Sequence, residues 1–387
     1  MITLTHAHRR VGASKSMVVS RRKEVLSWKM VKLSNKPKKT YLSRFLIALL
    51  SYGGVPKEYF MDVLTDSLDN AQKIHFNKRA ALKEERKGLK GGKIPVSECY
   101  YLMGTADPTG LLSSDEVCII LDNGQITGKV LVYKHPGLHF GDIHVLTATY
   151  VKEMENIVGN AKYAIFFPTK GPRSLADEIA NSDFDGDMYW VSQNPQILNC
   201  FQASIPWKRT YSANNICNRK PTEFSDEELE NELFEQFLTT RFQPSETIGV
   251  AADSWLAYMD RLLALGDQYA SEKDCVKEKM LRLIDIYYDA LDAPKTGMKV
   301  EVPNDLKADK FPHFMERTNS YVSTSILGLI YDKVVSIQTE NPSSEGNLCP
   351  IYDCSCFDKK MRYSDSVYEI IEIAYAGNPI CIHGSQI

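Results

Sequence analysis

The sequence has no apolar run long enough to cross a lipid bilayer. Its longest fully apolar stretch near the start, Phe45–Leu50, has six residues, whereas a membrane-spanning helix needs about 20. A secretory signal is also missing, because basic residues interrupt every candidate apolar core: Arg9, Arg10, Lys15 and Arg21. These absences predict an intracellular protein with no membrane partner, and they do not distinguish nucleus from cytoplasm.

Cysteine is sparse and does not occur in regular pairs. The chain has nine cysteines in 387 residues. An odd count without a secretory signal argues for free thiols in a reducing compartment. Near the end, a group of residues could ligate zinc: Cys349, Cys354, Cys356, Cys381 and His383. Their C-x4-C-x-C spacing differs from the C-x2-C pairs of structural zinc sites, and the sequence leaves zinc binding open.

Acidic residues are scarce in the first quarter of the chain. Residues 1–93 hold 21 Lys and Arg against 7 Asp and Glu, a net charge of +14. Because the whole chain has a net charge of −3, the remaining residues carry −17. A basic surface of this kind suits contact with a phosphate backbone. A solvated helix face is the commoner use of Lys and Arg, so the asymmetry alone does not establish a nucleic-acid partner.

Hydrophobic periodicity divides the chain into four segments and predicts an α+β fold. Residues 1–97 are basic and predicted to be mainly helical. Residues 98–200 contain short β-branched runs separated by turn residues, which is typical of a compact β-barrel. Residues 201–345 return to a helical period, and residues 346–387 form a polar, irregular tail.

Individual elements can also be predicted. The strands are expected over Val117–Leu121, Lys129–Tyr133, Tyr163–Phe167 and Met188–Val191. The helices are expected over Tyr41–Leu50, from Pro56 to Gly91, from Asp226 after a capping Ser225, over 247–266 and over 270–292. Tyr189 and Trp190 are predicted to be core residues rather than stacking platforms.

Three aspartates alternate in one short segment, where Asp183, Asp185 and Asp187 are separated by Phe184 and Gly186. In an extended segment, side chains two residues apart point to the same side. Three converging carboxylates repel one another unless cations neutralise them. Hard oxygen ligands of this kind suit Mg²⁺, and the glycine lets the backbone bend sharply. The pattern is typical of a magnesium-binding loop.

Other kinds of site fit this segment less well. An EF-hand requires glycine at position six and glutamate at position twelve, and counting from Asp183 places Asn194 at position twelve. A D-x-D-G phosphatase requires an apolar strand before the first aspartate, whereas Asp177–Ser182 is polar. An acidic turn between strands is the default use of Asp and Gly together. The segment alone does not decide between turn and metal loop.

The residues around the acidic segment form a longer chain of motifs. They are Leu102–Gly104 with Asp107 and Gly110, then Gly128 with Val130 and Val132, then Lys134–Asp142, then Phe166–Arg173, and finally Asp183–Asp187. In this order the motifs resemble the conserved blocks of the cellular RNA-directed RNA polymerases of RNA silencing. The D-F-D-G-D form is similar to the variant of plants and fungi, and the commoner form has Leu at position 184. With Tyr41–Phe60, Leu291–Gly297 and Phe311–Arg317, the resemblance spans most of residues 41–320.

The resemblance implies a double-psi β-barrel that carries the metal loop, flanked by a basic N-terminal helical segment and a C-terminal helical region. It implies Mg²⁺-dependent nucleotidyl transfer that copies a single-stranded RNA template from nucleoside triphosphates, in RNA-mediated gene silencing and small interfering RNA production. Asp183, Asp185 and Asp187 would be the catalytic residues and the metal ligands.

Basic residues near the loop are candidates for contact with nucleotide or RNA phosphates. Lys170 and Arg173 precede the loop, and a Lys-Gly-Pro-Arg turn is equally often just exposed. Lys295 lies in a Pro-Lys-Thr-Gly segment that can equally be a helix terminator. Lys134 and His139 are predicted to shape the turns of the barrel rather than to bind phosphate.

The sequence also departs from the family pattern. Polymerases of this kind use two barrels, and this sequence has room for one, so we expect a truncated member whose independent catalysis is in doubt. The alternative is a non-catalytic RNA-binding or scaffolding remnant that lacks the first barrel; a metal-dependent phosphohydrolase has little support. In addition, Ala180 and Asn181 replace a Ser-Gly pair ahead of the loop, although Asn tolerates similar backbone angles.

Overall fold

Three helices and a β-hairpin precede the barrel in the described part of the chain. The computed structural model describes residues 17–22, 25–30, 40–74, 79–158, 163–184, 186–210, 219–242, 246–296 and 298–339. The first elements are β1 (Met17–Arg22), β2 (Val25–Met30), α1 (Arg44–Tyr52), α2 (Lys57–Ile74) and α3 (Arg79–Lys90). Strands β1 and β2 pair in antiparallel register.

The first helix follows the prediction closely. The hydroxyl of Ser43 caps α1 by accepting a hydrogen bond from the Leu46 amide at 3.2 Å, and Gly53 ends the helix. The helical stretch predicted from Pro56 to Gly91 is present as two helices, α2 and α3. The β1–β2 hairpin was not predicted within this mainly helical segment. Its strands contain several β-branched and aromatic residues, which favour extended structure.

Seven strands form one sheet, six of which close into a barrel, and two short helices lie among them in sequence. They are β3 (Cys99–Ala106), β4 (Glu116–Leu121), β5 (Gly124–Ile126), β6 (Gly128–Lys134), β7 (Ile143–Ala148), α4 (Lys152–Val158), β8 (Ala164–Phe167), α5 (Leu175–Glu178) and β9 (Met188–Ser192). The spatial order is β5-β4-β7-β6-β9-β3-β8, and a further pairing of β4 with β8 closes six strands into a barrel. β3–β8 and β4–β7 are parallel, and the remaining pairs are antiparallel. The predicted strands and the predicted double-psi β-barrel are confirmed.

The barrel interior is apolar. Buried side chains from every strand of the closed barrel fill it, among them Leu102, Val117, Val130, Leu146, Ile165, Phe167, Tyr189 and Val191. On β3, a Cβ at Gly104 would lie 2.2 Å from the ring of Tyr189. Only glycine therefore lets β3 and β9 pair side by side at this point, which gives a physical reason for the glycine in the Leu102–Gly104 motif.

Helices follow the barrel in the described part of the chain. They are α6 (Pro195–Leu198), α7 (Asp226–Phe242), α8 (Thr247–Ala264), α9 (Ala270–Thr296) and α10 (Ile326–Thr339), with two short parallel strands, β10 (Phe311–Pro312) and β11 (Ser320–Tyr321). Ser225 caps α7 as predicted, because its hydroxyl accepts from the Glu228 amide while the Glu228 carboxylate accepts from the Ser225 amide, at 3.3 and 3.0 Å. The helices predicted over 247–266 and 270–292 are α8 and α9.

The largest apolar core joins the barrel to the helices on both sides of it in sequence. Leu46 of α1, Phe60 of α2, Tyr133 and Trp190 of the barrel, and Tyr288 of α9 all belong to it and are at most 1% exposed. This shared core packs α9 against the outside of the barrel. The four segment boundaries drawn from composition stay predictions.

Some predictions fall outside the described residues, namely the tail over 346–387 and its Cys and His cluster. Within the described part, no helix combines the length and the apolar character that crossing a membrane requires.

Candidate functional site

The acidic loop, residues 183–187, connects α5 to β9 by a sharp turn. Ala180, Asn181 and Phe184 have left-handed backbone angles, with φ of 54°, 52° and 62°, and Gly186 has φ of 131°. The backbone is therefore not extended at Phe184 and Gly186, and the sharp bend that Gly186 allows is present. Left-handed residues reverse the chain direction locally, so spacing in sequence no longer fixes which side a carboxylate faces. Asp185 lies outside the described residues.

Phe184 attaches the loop to the barrel core. Its half-buried ring lies 5.4 Å from the ring of Phe167 and 6.4 Å from that of Tyr189, measured between centroids. Both partners are almost fully buried. Aromatic pairs at these distances contribute about 0.5–1.5 kcal/mol beyond simple burial. Phe184, which has a left-handed backbone angle, thus packs its apolar side chain inward against the barrel core.

Both carboxylate oxygens of Asp187 have partners. Oδ1 lies 3.0 Å from the ammonium of Lys134. Oδ2 accepts hydrogen bonds from the Ser182 hydroxyl and, at 3.2 Å, from the Asp183 amide. The hydroxyl of Ser182 also hydrogen-bonds to that of Tyr189. Asp187 is therefore fixed by the barrel at Oδ1 and by its own loop at Oδ2.

The loop brings two of the predicted metal ligands together through one hydrogen bond between the Asp183 amide and the Asp187 carboxylate. The hydrogen bond from the Asp183 amide to Asp187 closes the turn, and Asp183 itself is exposed. Among the described residues, no three His, Cys, Asp or Glu side chains lie close enough together to hold a metal ion; the predicted set includes Asp185, which lies outside them. The available donors are carboxylates on a turn with an accessible side, and these fit a hard cation such as Mg²⁺.

Asp142 holds the chain just before the loop. It is completely buried and accepts hydrogen bonds from the amides of His139 at 2.7 Å and Ala180 at 3.0 Å, and from the hydroxyl of Tyr288. Burial raises the pKa of Asp142 to about 6, although these donors and the charge of Lys134 oppose that rise. Asp142 therefore links the β6–β7 turn, the approach to the loop and helix α9.

Helix α9 makes further polar contacts with the same region. The side-chain amide of Asn181 donates to Asp292 at 2.9 Å. One turn earlier Asp289 pairs with Arg209, and Asp285 accepts from the indole of Trp207 at 2.9 Å. Three acidic residues on one side of α9 thus hold the loop approach and the segment over residues 207–210.

The basic residues predicted to contact phosphates are in different situations. Lys170 is exposed. Arg173 is held by the protein: it pairs with Asp177, donates to the carbonyl of Trp207 and lies over that indole at 5.4 Å. Lys295 lies near the end of α9, and its side chain is outside the described part. An open depression of about 600 Å³ beside the loop approach is lined by Arg173, Asp177, Asn181, Trp207, Lys208 and Arg209.

The sequence analysis missed the roles of two residues that contact the loop or its approach, Lys134 and Asp142. Lys134 was predicted to shape a barrel turn, and its ammonium instead reaches Asp187 and, at 3.3 Å, the carbonyl of Ala180. Asp142 was given no role of its own. Both residues stand at the ends of the Lys134–Asp142 motif, which was the available signal. His139 does shape that turn, because its Nδ1 accepts from the Gly141 amide at 3.0 Å, and burial lowers its pKa to about 4.

The closed double-psi barrel, with an acidic loop before β9, agrees with the polymerase resemblance of the sequence. The sequence matches the family described as RNA dependent RNA polymerase, over residues 1–89 and 78–334. The chain belongs to this family.

Relatives agree with this assignment. The chain is 53% identical to the Probable RNA-dependent RNA polymerase 5 of Arabidopsis thaliana over an alignment of 367 positions, and the match covers 85% of this chain and 37% of that protein. It is 51% identical to the Probable RNA-dependent RNA polymerase 3 of Oryza sativa subsp. japonica over an alignment of 344 positions, and this match covers 79% of this chain and 30% of that protein. The chain thus spans about a third of the length of the curated relatives it matches.

A solved structure has the same fold. The RNA dependent RNA polymerase QDE-1 from Thielavia terrestris superposes with a TM-score of 0.54 and 16% sequence identity, over 90% of this chain and 48% of that one. At this identity the likeness concerns the fold alone.

Proposed function

We propose that this chain carries the magnesium-binding centre of an RNA-directed RNA polymerase. The reaction is nucleotidyl transfer that copies a single-stranded RNA template from nucleoside triphosphates, in RNA-mediated gene silencing and small interfering RNA production. The observation that carries the proposal is the Asp187 carboxylate, held at the start of β9 beside the Asp183 amide in a chain of the RNA dependent RNA polymerase family.

The aspartates of the loop have the central role. Asp183, Asp185 and Asp187 would hold Mg²⁺, which when bound lowers the pKa of the attacking 3′-hydroxyl and neutralises the leaving pyrophosphate. The contribution of the protein is to keep these carboxylates in one arrangement before substrate arrives, so that little reorganisation is needed during the reaction. The contacts of Asp187 with Ser182 and with the Asp183 amide support this role.

The basic residues would act on the substrates. Exposed Lys170 is available for a phosphate of the template or the nucleotide. Arg173 would need to exchange its contact with Asp177 for a phosphate, and its stacking on Trp207 fixes its position beside the loop approach. Lys295 remains a candidate for RNA contact on the strength of its sequence position.

The test is nucleotide incorporation on a single-stranded RNA template in the presence of Mg²⁺. Because the chain spans about a third of its relatives, we would assay it alone and in a chimaera that replaces the matching segment of the Arabidopsis relative. Asp187→Asn should lower incorporation about 100-fold or more, the scale on which preorganised charges act. Asp226→Asn, on an exposed first turn of α7, is the matched control.

Incorporation by the chimaera that depends on Asp187 and not on Asp226 would support the polymerase. A folded chimaera that binds RNA and incorporates no nucleotide would contradict it, and would leave an RNA-binding or scaffolding role. Incorporation that is equal in the Asp187→Asn variant would contradict the assignment of the metal loop.

A further inference from the structure

The cation that contacts Asp187 in this structure belongs to the protein itself. Lys134 Nζ lies 3.0 Å from Asp187 Oδ1, and the two side chains are only 12% and 13% exposed. The same ammonium donates to the Ala180 carbonyl at 3.3 Å. An ion pair that is largely removed from water is screened less than a surface pair. The attraction between Lys134 and Asp187 is therefore stronger than in an exposed ion pair at the same distance.

The two carboxylate oxygens of Asp187 differ in how easily they can exchange their present partners for a metal ion. Oδ2 receives the Ser182 hydroxyl and the Asp183 amide, and Ser182 is buried and bonded to Tyr189. Breaking the contacts of Oδ2 would open the turn and remove the acceptor of the buried Ser182 hydroxyl, which is energetically costly. Within the described part of the chain, Oδ1 contacts one partner, the ammonium at the end of the flexible Lys134 side chain. Oδ1 is thus the oxygen that Asp187 can offer to a metal ion.

A divalent cation at Oδ1 and the ammonium of Lys134 cannot share this oxygen without strong repulsion, since like charges a few ångströms apart repel in a partly buried site. We propose that Lys134 and the divalent cation bind Asp187 alternately, so that Lys134 is a built-in competitor that occupies the oxygen until the metal arrives. This inference rests on the proposed magnesium centre. It assigns to Lys134 a positioning role: it neutralises Asp187 and holds the Ala180 carbonyl when the metal is away.

A competing Lys134 and a supporting Lys134 predict opposite changes in metal affinity when the charge of Lys134 is removed. Removing a competitor raises the affinity for the metal, whereas removing a support lowers it. Lys134→Met keeps the length of the side chain and removes its charge. Lys134→Arg keeps the charge and is the matched control, and Asp187→Asn removes the contested oxyanion.

The experiment is a Mn²⁺ titration of the EDTA-treated full chain, followed by electron paramagnetic resonance of the free ion. Lys134→Met should bind Mn²⁺ about tenfold more tightly than the wild type, within the usual range of coupling between two sites. Lys134→Arg should stay within about threefold of the wild type, and Asp187→Asn should bind least tightly. Equal or weaker binding by Lys134→Met would overturn the proposal.

A second measurement uses the unaltered protein, in case Lys134→Met does not fold. In protein with ¹³C-labelled lysine, the Cε resonance of Lys134 is the one lost in Lys134→Arg. Titration with Mg²⁺ should move it toward the position of a free lysine in the wild type and leave it unmoved in Asp187→Asn. A Lys134 resonance that does not respond to saturating Mg²⁺ would overturn the exchange.

These outcomes separate the inference from the function on which it rests. Absence of saturable Mn²⁺ binding in every variant, the wild type included, would contradict the magnesium centre itself. Binding by the wild type without a gain in Lys134→Met would contradict the competition alone.

Discussion

The buried carboxylate of Asp142 accepts a hydrogen bond from the backbone amide of Ala180 at 3.0 Å. These residues are 38 positions apart in sequence. The contact connects the turn after β6 to the left-handed residues that begin the approach to the acidic loop. Asp142 is also hydrogen-bonded to Tyr288 of α9. One carboxylate therefore orients the approach to the loop relative to both the barrel and the helices, and its removal should change the conformation of the loop.

Asp142 makes the stability of the protein depend on pH. Its folded-state pKa of about 6 lies above the ordinary value of 3.8, so the folded state binds the proton more tightly than the unfolded state. The contribution of this group is fully present below pH of about 4 and is lost as pH rises through about 6, a change of roughly 3 kcal/mol. Buried His135, His139 and His144 have pKa values lowered to about 4 and change stability in the opposite direction, so the difference between the wild type and Asp142→Asn isolates the effect of Asp142. Urea unfolding of both should show that difference fall by roughly 3 kcal/mol between pH 4 and 7, and a constant difference would contradict the assignment.

The hydroxyl of Tyr288 joins Asp142 to the Leu138 amide, which donates to it at 3.1 Å. Tyr288→Phe removes this hydroxyl and leaves a buried amide without an acceptor, which should lower the free energy of unfolding by about 1–3 kcal/mol. Tyr287→Phe is the control, because Tyr287 is similarly buried on α9 and does not contact Asp142. Thermal denaturation compares the two variants. Equal losses of stability would show that the hydrogen bonds of the Tyr288 hydroxyl do not contribute more than those of any buried tyrosine on this helix.

Asn181 combines a left-handed backbone with a side-chain bond to Asp292 at 2.9 Å. Asn181→Ala loses the bond and strains the backbone, and should cost about 2 kcal/mol. Asn181→Gly loses the bond but relieves the backbone, and should be about 1 kcal/mol more stable than the alanine variant. Urea denaturation compares the two. If alanine and glycine are equivalent there, the left-handed conformation does not persist in solution.

Asp285 holds the segment over residues 207–210. It accepts from the indole of Trp207 at 2.9 Å and from the amide and hydroxyl of Thr210 at 3.0 and 3.1 Å. Asp285→Ala leaves these donors without their acceptor and should lower the free energy of unfolding by about 3 kcal/mol. Glu278→Ala, at an exposed position of the same helix, should change it by less than about 0.5 kcal/mol. Trp207 fluorescence should also shift in the first variant and not in the second.

The sequence by itself determined four of the barrel strands (β4, β6, β8 and β9), most of the helices and the family. Short β-branched runs predicted the barrel strands because side chains in a closed barrel must be buried on one face. The Ser225 cap was predictable because hydroxyl and carboxylate need only a three-residue spacing to satisfy the first amides of a helix. The acidic loop was recognisable because its residue types, in the order of the surrounding motifs, are specific.

What only the tertiary structure decided is the arrangement of charges around the loop. Phe184 has a left-handed backbone angle, which local preference disfavours for an aromatic residue, and its ring packs against Phe167 of the barrel core. The contact of Lys134 with Asp187 joins residues 53 positions apart in sequence, and it exists because β6 pairs with β9 and places Lys134 opposite Tyr189. No local pattern encodes such a pairing: it follows from the closure of the barrel.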